Sequence, residues 1–596
     1  MSVTVQVVRD HLALLAVAKP SPDDCPWVKQ KASEVFEFSG GEKQAVDTPS
    51  ARDRRAELIE EKASQSLIAA LEAMTKCATA LSDPQQCSPQ HLGAVEYLLK
   101  TLRNLARIKE EAERLVFQYG VLPVLCEAMR TFEMYPETCK DCLGVLANCA
   151  VPPQNRRRVF SDCAQGILDC MHANASDVRV SQNGCACIAN LSHDIHLVGE
   201  IGPVVYPVLV EVAMLHSKDA VVAENAMTAI SALLLDSENV ERFLSHNSSG
   251  LVELLSNLMR LHARNLVVNE QGLRSMFSLA QSGGTADLKS LLVRGGALSS
   301  VHSAMANCPF PSIAEWACKT IRALSHNQPD MKVEVYKSGA AGWVADAVRG
   351  HGTNARVVKA GLAALWSLAN HVANKASLVN KDQVDVVIVN AMRLNPEAVS
   401  VALTGSAALT SLANDYSTKK KLVKNGCVTA VVHAMNAHPT NALVSEYGCA
   451  CIWSLCIDRE VQQVVAADSL AARAVLDAMT QHSRERAVVV RTLGALESLA
   501  QGQTACNMLV ACGAVPIVAS LVRVYVQVDL GIMQRCCNVL ASIARYCDDN
   551  SVFDKYGVAE IAVDIQRMYP ADESCNRAAE RLLTALEGGR GALATI

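Results

Sequence analysis

The chain is predicted to be all-α, a solenoid built from repeated helices, and three observations carry that prediction. A short motif returns about every 44 residues through most of the 596-residue sequence. Small residues return with it at a fixed offset. Apolar residues make up 50% of the chain but aromatic residues only 4%, a composition suited to helices in close contact. A repeat array also accommodates this length in one architecture, because each unit packs only on its neighbours.

The motif is A-L-x-x-L-A. Its final large residue, the anchor, falls at Leu105, Cys149, Leu191, Leu233, Leu279, Leu324, Leu368, Leu412, Leu455, Leu499, Ile543 and Leu586, with separations between 42 and 46 residues. Such a period is the mark of helical solenoids. Three residues before each anchor stands another apolar residue, as at Leu102, Ile188, Leu365 and Ile452; spacing of three places both on one helix face. Seven before, the residue is usually small: Cys142, Gly184, Ala226, Gly272, Ala317, Gly361, Gly405, Gly448, Cys536 and Ala579. Glycine inside a helix costs about 1 kcal/mol relative to alanine, so its recurrence predicts a second helix passing too close for a side chain.

Twenty residues before the anchor, Met129, Met171, Val348, Met392, Met435 and Met479 close a preceding helix. Polar or proline-containing turns follow, as in Leu394-Asn395-Pro396, where proline stops one helix and can start another. Gly120, Gly166, Gly202, Gly250, Gly339, Gly426, Gly513 and Gly557 form a second glycine class, expected to break the chain between helices. Each unit therefore has a short first helix and two longer ones. Residues 1–60 are expected to be an N-terminal extension: a short helix over Leu12–Ala18, then a linker from Phe38 through Ala51, which lacks apolar periodicity. From Arg52 a helix leads into Leu67–Ala78, and residues 61–85 form an atypical cap. The array occupies residues 61–588, and 589–596 are a frayed tail.

The formal net charge is -5, from 55 basic and 60 acidic residues, which gives no general reason to expect nucleic acid as a partner. Many of the 23 cysteines occupy small helical positions, such as Cys185, Cys187, Cys449 and Cys451. No cleavable signal is read at Val3–Val17, which Arg9, Asp10 and His11 interrupt. Free thiols in a reducing compartment, and hence a cytoplasmic protein, are expected. Nuclear, ciliary or cytoskeletal association is compatible with the same features. No run approaches 18 uninterrupted apolar residues, so no membrane span is expected.

The repeat resembles the armadillo repeat over roughly residues 62–588, in about twelve units, and in kind the importin-alpha and beta-catenin type. That resemblance implies three helices per unit, a right-handed superhelix, and a groove lined by third helices at eight, five and one residues before the anchor. Carried onto this sequence, the eight-before row holds Tyr97, Asp141, Asn183, Asn225, Gln271, Trp316, Tyr447, Arg491 and Arg535. The five-before row holds Lys100, Arg274, Lys319, Asn538 and Arg581, and the one-before row Asn104, Asn148 and Asn190. The importin-alpha pattern has Trp five before and Asn one before. Here the five-before row has no Trp, and Trp366 and Trp453, two before their anchors, are read as packing residues.

Across these rows one acid, Asp141, faces six bases, Lys100, Arg274, Lys319, Arg491, Arg535 and Arg581. Such a groove would steer acidic segments, which disfavours a nuclear-import receptor for basic signals; the bland alternative is that the charges only solvate a surface. Asn104, Asn148, Asn183, Asn190, Asn225 and Gln271 could bond a partner backbone, since an amide donates and accepts together, or bond one another along the wall. Trp316 and Tyr447 flank a bland middle and are the aromatic anchor candidates.

No phosphate-binding loop, dinucleotide fingerprint or H-E-x-x-H helix occurs. Cys139 with Cys142, and the paired cysteines at 185–187 and 449–451, coincide with small-residue positions and lack further ligands at metal spacing. His172, His438 and His482 fall in turns between helices. The expectation is a non-enzymatic scaffold without cofactor or metal. It binds protein partners, an acidic segment in the groove above all, or alternatively forms a structural part of a ciliary or cytoskeletal assembly.

Overall fold

The structure is a computed structural model and describes residues 10–11, 25–39, 49–60, 62–80, 87–282 and 286–593. Among them every regular element is a helix and no β-strand occurs, so the fold is an all-α superhelical solenoid. The chain divides into two compact units, Met1–Cys308 and Pro309–Ile596.

In the first unit the anchor-bearing helices Pro89–Leu105, Pro136–Cys149, Val178–Ser192, Ala220–Leu233 and Leu266–Ser282 each pack on the next. In the second unit Pro311–Ser325, Ala355–Ala369, Val399–Ala413, Ala442–Leu455, Arg486–Leu499, Leu530–Tyr546 and Glu573–Leu593 do the same. These are the third helices of the repeat, and all twelve anchors are at most 6% exposed. Their starts are set locally. Pro89, Pro136 and Pro311 stand in the first helical turn, while the side chains of Asp177, Asn354, Asn441 and Asp529 accept from free N–H groups there.

The two rows read separately, at seven and at twenty before the anchor, are two sides of one contact. A β-carbon on Gly184, Gly405 or Gly448 would lie 2.4–2.5 Å from the sulfur of Met171, Met392 or Met435 respectively. Gly272 faces Met259 at 2.5 Å and Gly361 faces Val348 at 2.3 Å in the same way. A methionine thioether, or Val348 in one repeat, thus lies in the notch that glycine leaves in the third helix.

The second glycine class divides. Gly120, Gly339, Gly426, Gly513 and Gly557 have φ between 64° and 91° and break the chain before a second helix. Gly166, Gly202 and Gly250 do not: they lie inside the unbroken helices Pro153–Ala173, Val198–Leu215 and Ser237–Leu261. At Gly202 the requirement is space, since a β-carbon there would meet the Asn239 amide at 2.3 Å.

Two sets of side chains stitch successive repeats together. At the turn seventeen or so residues before the anchor, each side chain donates to a backbone carbonyl of the preceding turn. In the first unit Asn174 reaches Glu133 O (2.8 Å), His216 Nε2 reaches Ala175 O (2.7 Å), His262 Nε2 reaches Ser217 O (2.8 Å) and Cys308 reaches Ala263 O (3.4 Å). In the second, Asn395 reaches Gly352 O (2.6 Å), His482 Nε2 reaches Pro439 O (2.9 Å), and the hydroxyls of Tyr525 and Tyr569 reach Ser483 O and Val526 O. His438 stands at the equivalent place with Nε2 buried and unbonded.

Six residues after the anchor, Asn155, Asn239 and Asn374 are at most 1% exposed, and each Nδ2 bonds two carbonyls. For Asn374 these are Leu368 O, on the anchor itself, and Lys332 O in the preceding first helix. Replacing Asn374 with alanine strands both buried acceptors, and a loss of about 2 kcal/mol is expected in chemical denaturation of the chain.

The N-terminal segment is more helical than the sequence suggests. Cys25–Ser39 is a helix packed on Pro89–Leu105 as one third helix packs on the next, so Phe38 and Ser39 end a helix rather than begin a linker. Pro49–Glu60 is a second helix, and Ala63–Thr79 follows it. The helix expected at Leu12–Ala18 lies outside the described residues. At the other end, Glu573–Leu593 continues through Gly588 into the segment expected to fray. One continuous described helix, Val198–Leu215, has the length and mean hydropathy (1.6) to cross a membrane. It packs against Pro153–Ala173, Ala220–Leu233 and Ser237–Leu261, burying Val205, Leu209 and Val212.

Candidate functional site

The third helices present a face of half-buried polar and aromatic residues, and the amide row is committed to holding that face together. Asn148 Nδ2 donates to Arg103 O (2.9 Å), Asn183 to Lys140 O (2.8 Å), Asn190 to Ala147 O (2.8 Å) and Asn225 to Gln182 O (3.5 Å). Each partner is the backbone of the preceding third helix. Asn104 is nearly buried and donates to Ser39 Oγ (2.9 Å). These amides therefore donate to a neighbouring helix and not to one another. Gln271 and Asn538 are half-buried on the same face.

A second pattern arises from residues two before the anchor, which lie across the small five-before residue of the next third helix. Arg103 covers Gly144, where a β-carbon would meet Nε at 2.7 Å, and Nη2 reaches Asn183 Oδ1 at 3.3 Å, one helix further on. Trp453 covers Gly494, where a β-carbon would lie 2.6 Å from the indole, and Arg535 sits 5.6 Å from the ring centroid. Trp366 meets Tyr447 edge-on at 5.7 Å, again two third helices away, and donates through Nε1 to Ser411 Oγ (3.0 Å). Trp366 and Trp453 do pack, but on the exposed side of the helices. The five-before row lacks large residues where these side chains lie over it.

The bases are less free than their rows imply. Lys100 lies 3.9 Å from Glu96, Arg274 3.8 Å from Glu270, Lys319 2.6 Å from Glu315 and Arg491 3.9 Å from Glu446. Every one of these glutamates is nine before its anchor. In the first three pairs the acid precedes its base by four residues on one helix, the favourable orientation. Arg356 also reaches Glu315 (2.9 Å). Lys319 lies 4.1 Å over the Trp316 ring and Lys100 5.6 Å over Tyr97, whose ring is 5.7 Å from Phe36. Arg535 has no acidic partner among the described residues; Arg581 is exposed.

The one acid of the rows, Asp141, is 1% exposed, with Lys140 and Arg103 at 3.8 and 3.9 Å. Burial outweighs Lys140, Lys100 and Arg103 and raises its carboxyl to about 6. Oδ2 is buried without a hydrogen bond.

In the second unit the face opens into a cleft of about 320 Å³ lined by Thr410, Asn414, Glu446, Tyr447, Ala450, Trp453, Ser454, Ile457 and Arg491. Ser454 Oγ donates to Asn414 Oδ1 (2.8 Å) on its wall, and Ile457 is 66% exposed at the edge. Arg491 lies 5.8 Å from the Trp453 centroid, so two guanidinium groups flank one indole. A different cleft, about 460 Å³ and largely apolar, lies between the second helices Val384–Leu394 and Cys427–Ala437, with Met392, Pro396, Ala430 and His433 among its walls.

The paired cysteines are core. Cys139, Cys142, Cys185, Cys187, Cys449 and Cys451 are all inaccessible to solvent, and burial pushes the Cys185 thiol up to about 12. Among the described residues no three His, Cys, Asp or Glu side chains form a group able to hold a metal ion.

No family model matches the chain, and no curated protein sequence does. Solved structures do resemble it. One, from work on a conserved phosphorylation switch controlling the interaction between cadherin and beta-catenin, aligns over 94% of this chain and 99% of its own, with TM-score 0.61 and 13% identity. An engineered protein aligns over 87% and 98%, at TM-score 0.44 and 14% identity. The first likeness shows a shared fold.

Proposed function

We propose that the chain is a non-enzymatic scaffold of about twelve armadillo-type units, whose third-helix face in the second unit holds an acidic, extended segment of a protein partner. The observation that carries this reading is the Trp453 cluster. Its indole lies over Gly494, Arg491 and Arg535 flank it, and an open cleft adjoins it. An aromatic ring between two guanidinium groups offers apolar area and charge at one place, the combination found at binding hot spots. One solved structure alike in fold comes from work on the interaction between cadherin and beta-catenin, which fits a binding role. Free core thiols fit a reducing, cytoplasmic setting.

Binding of acidic peptides by the full chain tests the reading. Arg491→Glu with Arg535→Glu is expected to weaken binding at least about tenfold and to flatten its salt dependence. Reversing Lys319, already paired with Glu315, should change it much less. Equal effects at both places, or none at either, would remove the Trp453 cluster as the binding centre. The apolar cleft between Val384–Leu394 and Cys427–Ala437 favours a second reading, a structural part of a larger assembly held through second helices. In that case Ala430→Glu, and not the arginine reversals, would release partners captured from cells.

A further inference from the structure

In the first unit the second helix Val121–Thr131 packs on the long helix Pro153–Ala173, which runs through a first and a second helix without a break, and two thiols meet face to face. Cys126 Sγ lies 3.1 Å from Cys163 Sγ, inside ordinary contact between unbonded sulfurs. Cys126 is half-buried and open to small solutes, while Cys163 lies behind it at 1% exposure. Another close pair, Cys427 and Cys451 at 3.6 Å, is wholly buried and has no open side, and Cys170, bonded to Cys139, is at most 1% exposed like its partner.

We propose that Cys126 and Cys163 form a peroxide-reactive dithiol site, with Cys126 as the attacking sulfur and Cys163 as the resolving one. The hydrogen bond shared with Cys163 pulls Cys126 below the ordinary thiol range; Arg130 acts in the same direction, against burial, Asp162 and Glu127. The same hydrogen bond, then burial, pushes Cys163 up. Access assigns the two thiols different roles, since a peroxide can meet half-buried Cys126 and not Cys163 behind it.

In the first step the Cys126 thiolate attacks one peroxide oxygen: an S–O bond forms, the O–O bond breaks and hydroxide leaves. In the second, the Cys163 sulfur displaces the sulfenic oxygen. The S–S bond forms, the S–O bond breaks, and the Cys163 proton departs with that oxygen as water. Counting the thiol protons, two thiols and one hydrogen peroxide give one disulfide and two waters, the sulfurs losing the two electrons that the peroxide gains. The product joins the two helices covalently, and a thiol reductant reverses it.

The test is peptide mapping of the full chain after brief exposure to hydrogen peroxide, with remaining thiols alkylated. The expected result is a Cys126–Cys163 crosslinked peptide and loss of alkylation at both, while Cys512, also half-buried, stays alkylated. In Cys163→Ser, Cys126 should instead be trapped by a sulfenic-acid reagent. In Cys126→Ser, a change at a half-exposed position that leaves the core intact, Cys163 should remain fully alkylated. The proposal is overturned if Cys126 oxidises without linking to Cys163, if Cys163 pairs with Cys170, Cys139 or Cys142 instead, or if Cys512 reacts first.

Discussion

Replacing Gly448 with leucine is expected to destabilise the chain by about 3 kcal/mol or more, the upper range for forcing volume into a packed core. A β-carbon would lie 2.5 Å from Met435 Sδ, 2.7 Å from its Cγ and 3.2 Å from Val431 Cγ1, and Met435 is itself only 3% exposed. Alanine should cost far less, because one methyl asks only that a flexible thioether swing, and alanine returns about 1 kcal/mol of helix propensity. Shortening the neighbour should therefore rescue the large residue: Gly448→Leu in a Met435→Ala background should lose less than the sum of the two single changes. Denaturation midpoints of the four proteins measure this directly. Strict additivity would mean that the glycine and the methionine do not share one notch.

The Asp141→Asn variant should be more stable than the parent by about 3 kcal/mol at pH 8, and no more stable near pH 4. The sign follows from the direction of the shift. The carboxyl is raised from 3.8 to about 6 in the folded chain, so folding favours its protonated form. Stability from this group is fully present below pH 3.8 and is lost as pH rises through about 6. Above that, the folded chain carries an ionised carboxylate at a site that is 1% exposed, with one oxygen unbonded. An asparagine has the same shape and no such penalty. Denaturation at several pH values distinguishes this from a simple packing change, whose effect would not vary with pH. A variant destabilised at pH 8 would show that Lys140 and Arg103 gain more from the charge than burial costs.

The period, the third helices and their anchors were legible because each is a one-dimensional pattern. Contacts between rows were not. Met435 and Gly448 belong to two rows whose meeting depends on how two helices cross. Trp453 over Gly494 and Arg103 over Gly144 need a step between helices that a single row does not contain. The glutamates Glu96, Glu270 and Glu315 could have been found, since each stands four residues before a base already singled out. Their neglect made the face look more basic than it is. The helix Cys25–Ser39 was missed because it has no anchor motif, although Val28, Ala32, Val35 and Phe36, all buried, have helical spacing. Gly166, Gly202 and Gly250 look like their positive-φ counterparts in sequence, and only the structure separates a turn glycine from one inside a helix.

The ladder of turn side chains has a direction. In each unit the later turn supplies the donor and the earlier one the carbonyl, from Asn174 to Glu133, from His216 to Ala175, from His482 to Pro439. An array that lacks its later members therefore ends on bare carbonyls, which water satisfies readily. One that lacks its earlier members ends on side chains shaped for an acceptor that is missing. Synthesis proceeds from the N-terminus, so the growing end within a unit is always of the tolerant kind. Each rung can close as soon as its residues emerge, and truncation from the two ends of a unit is not equivalent.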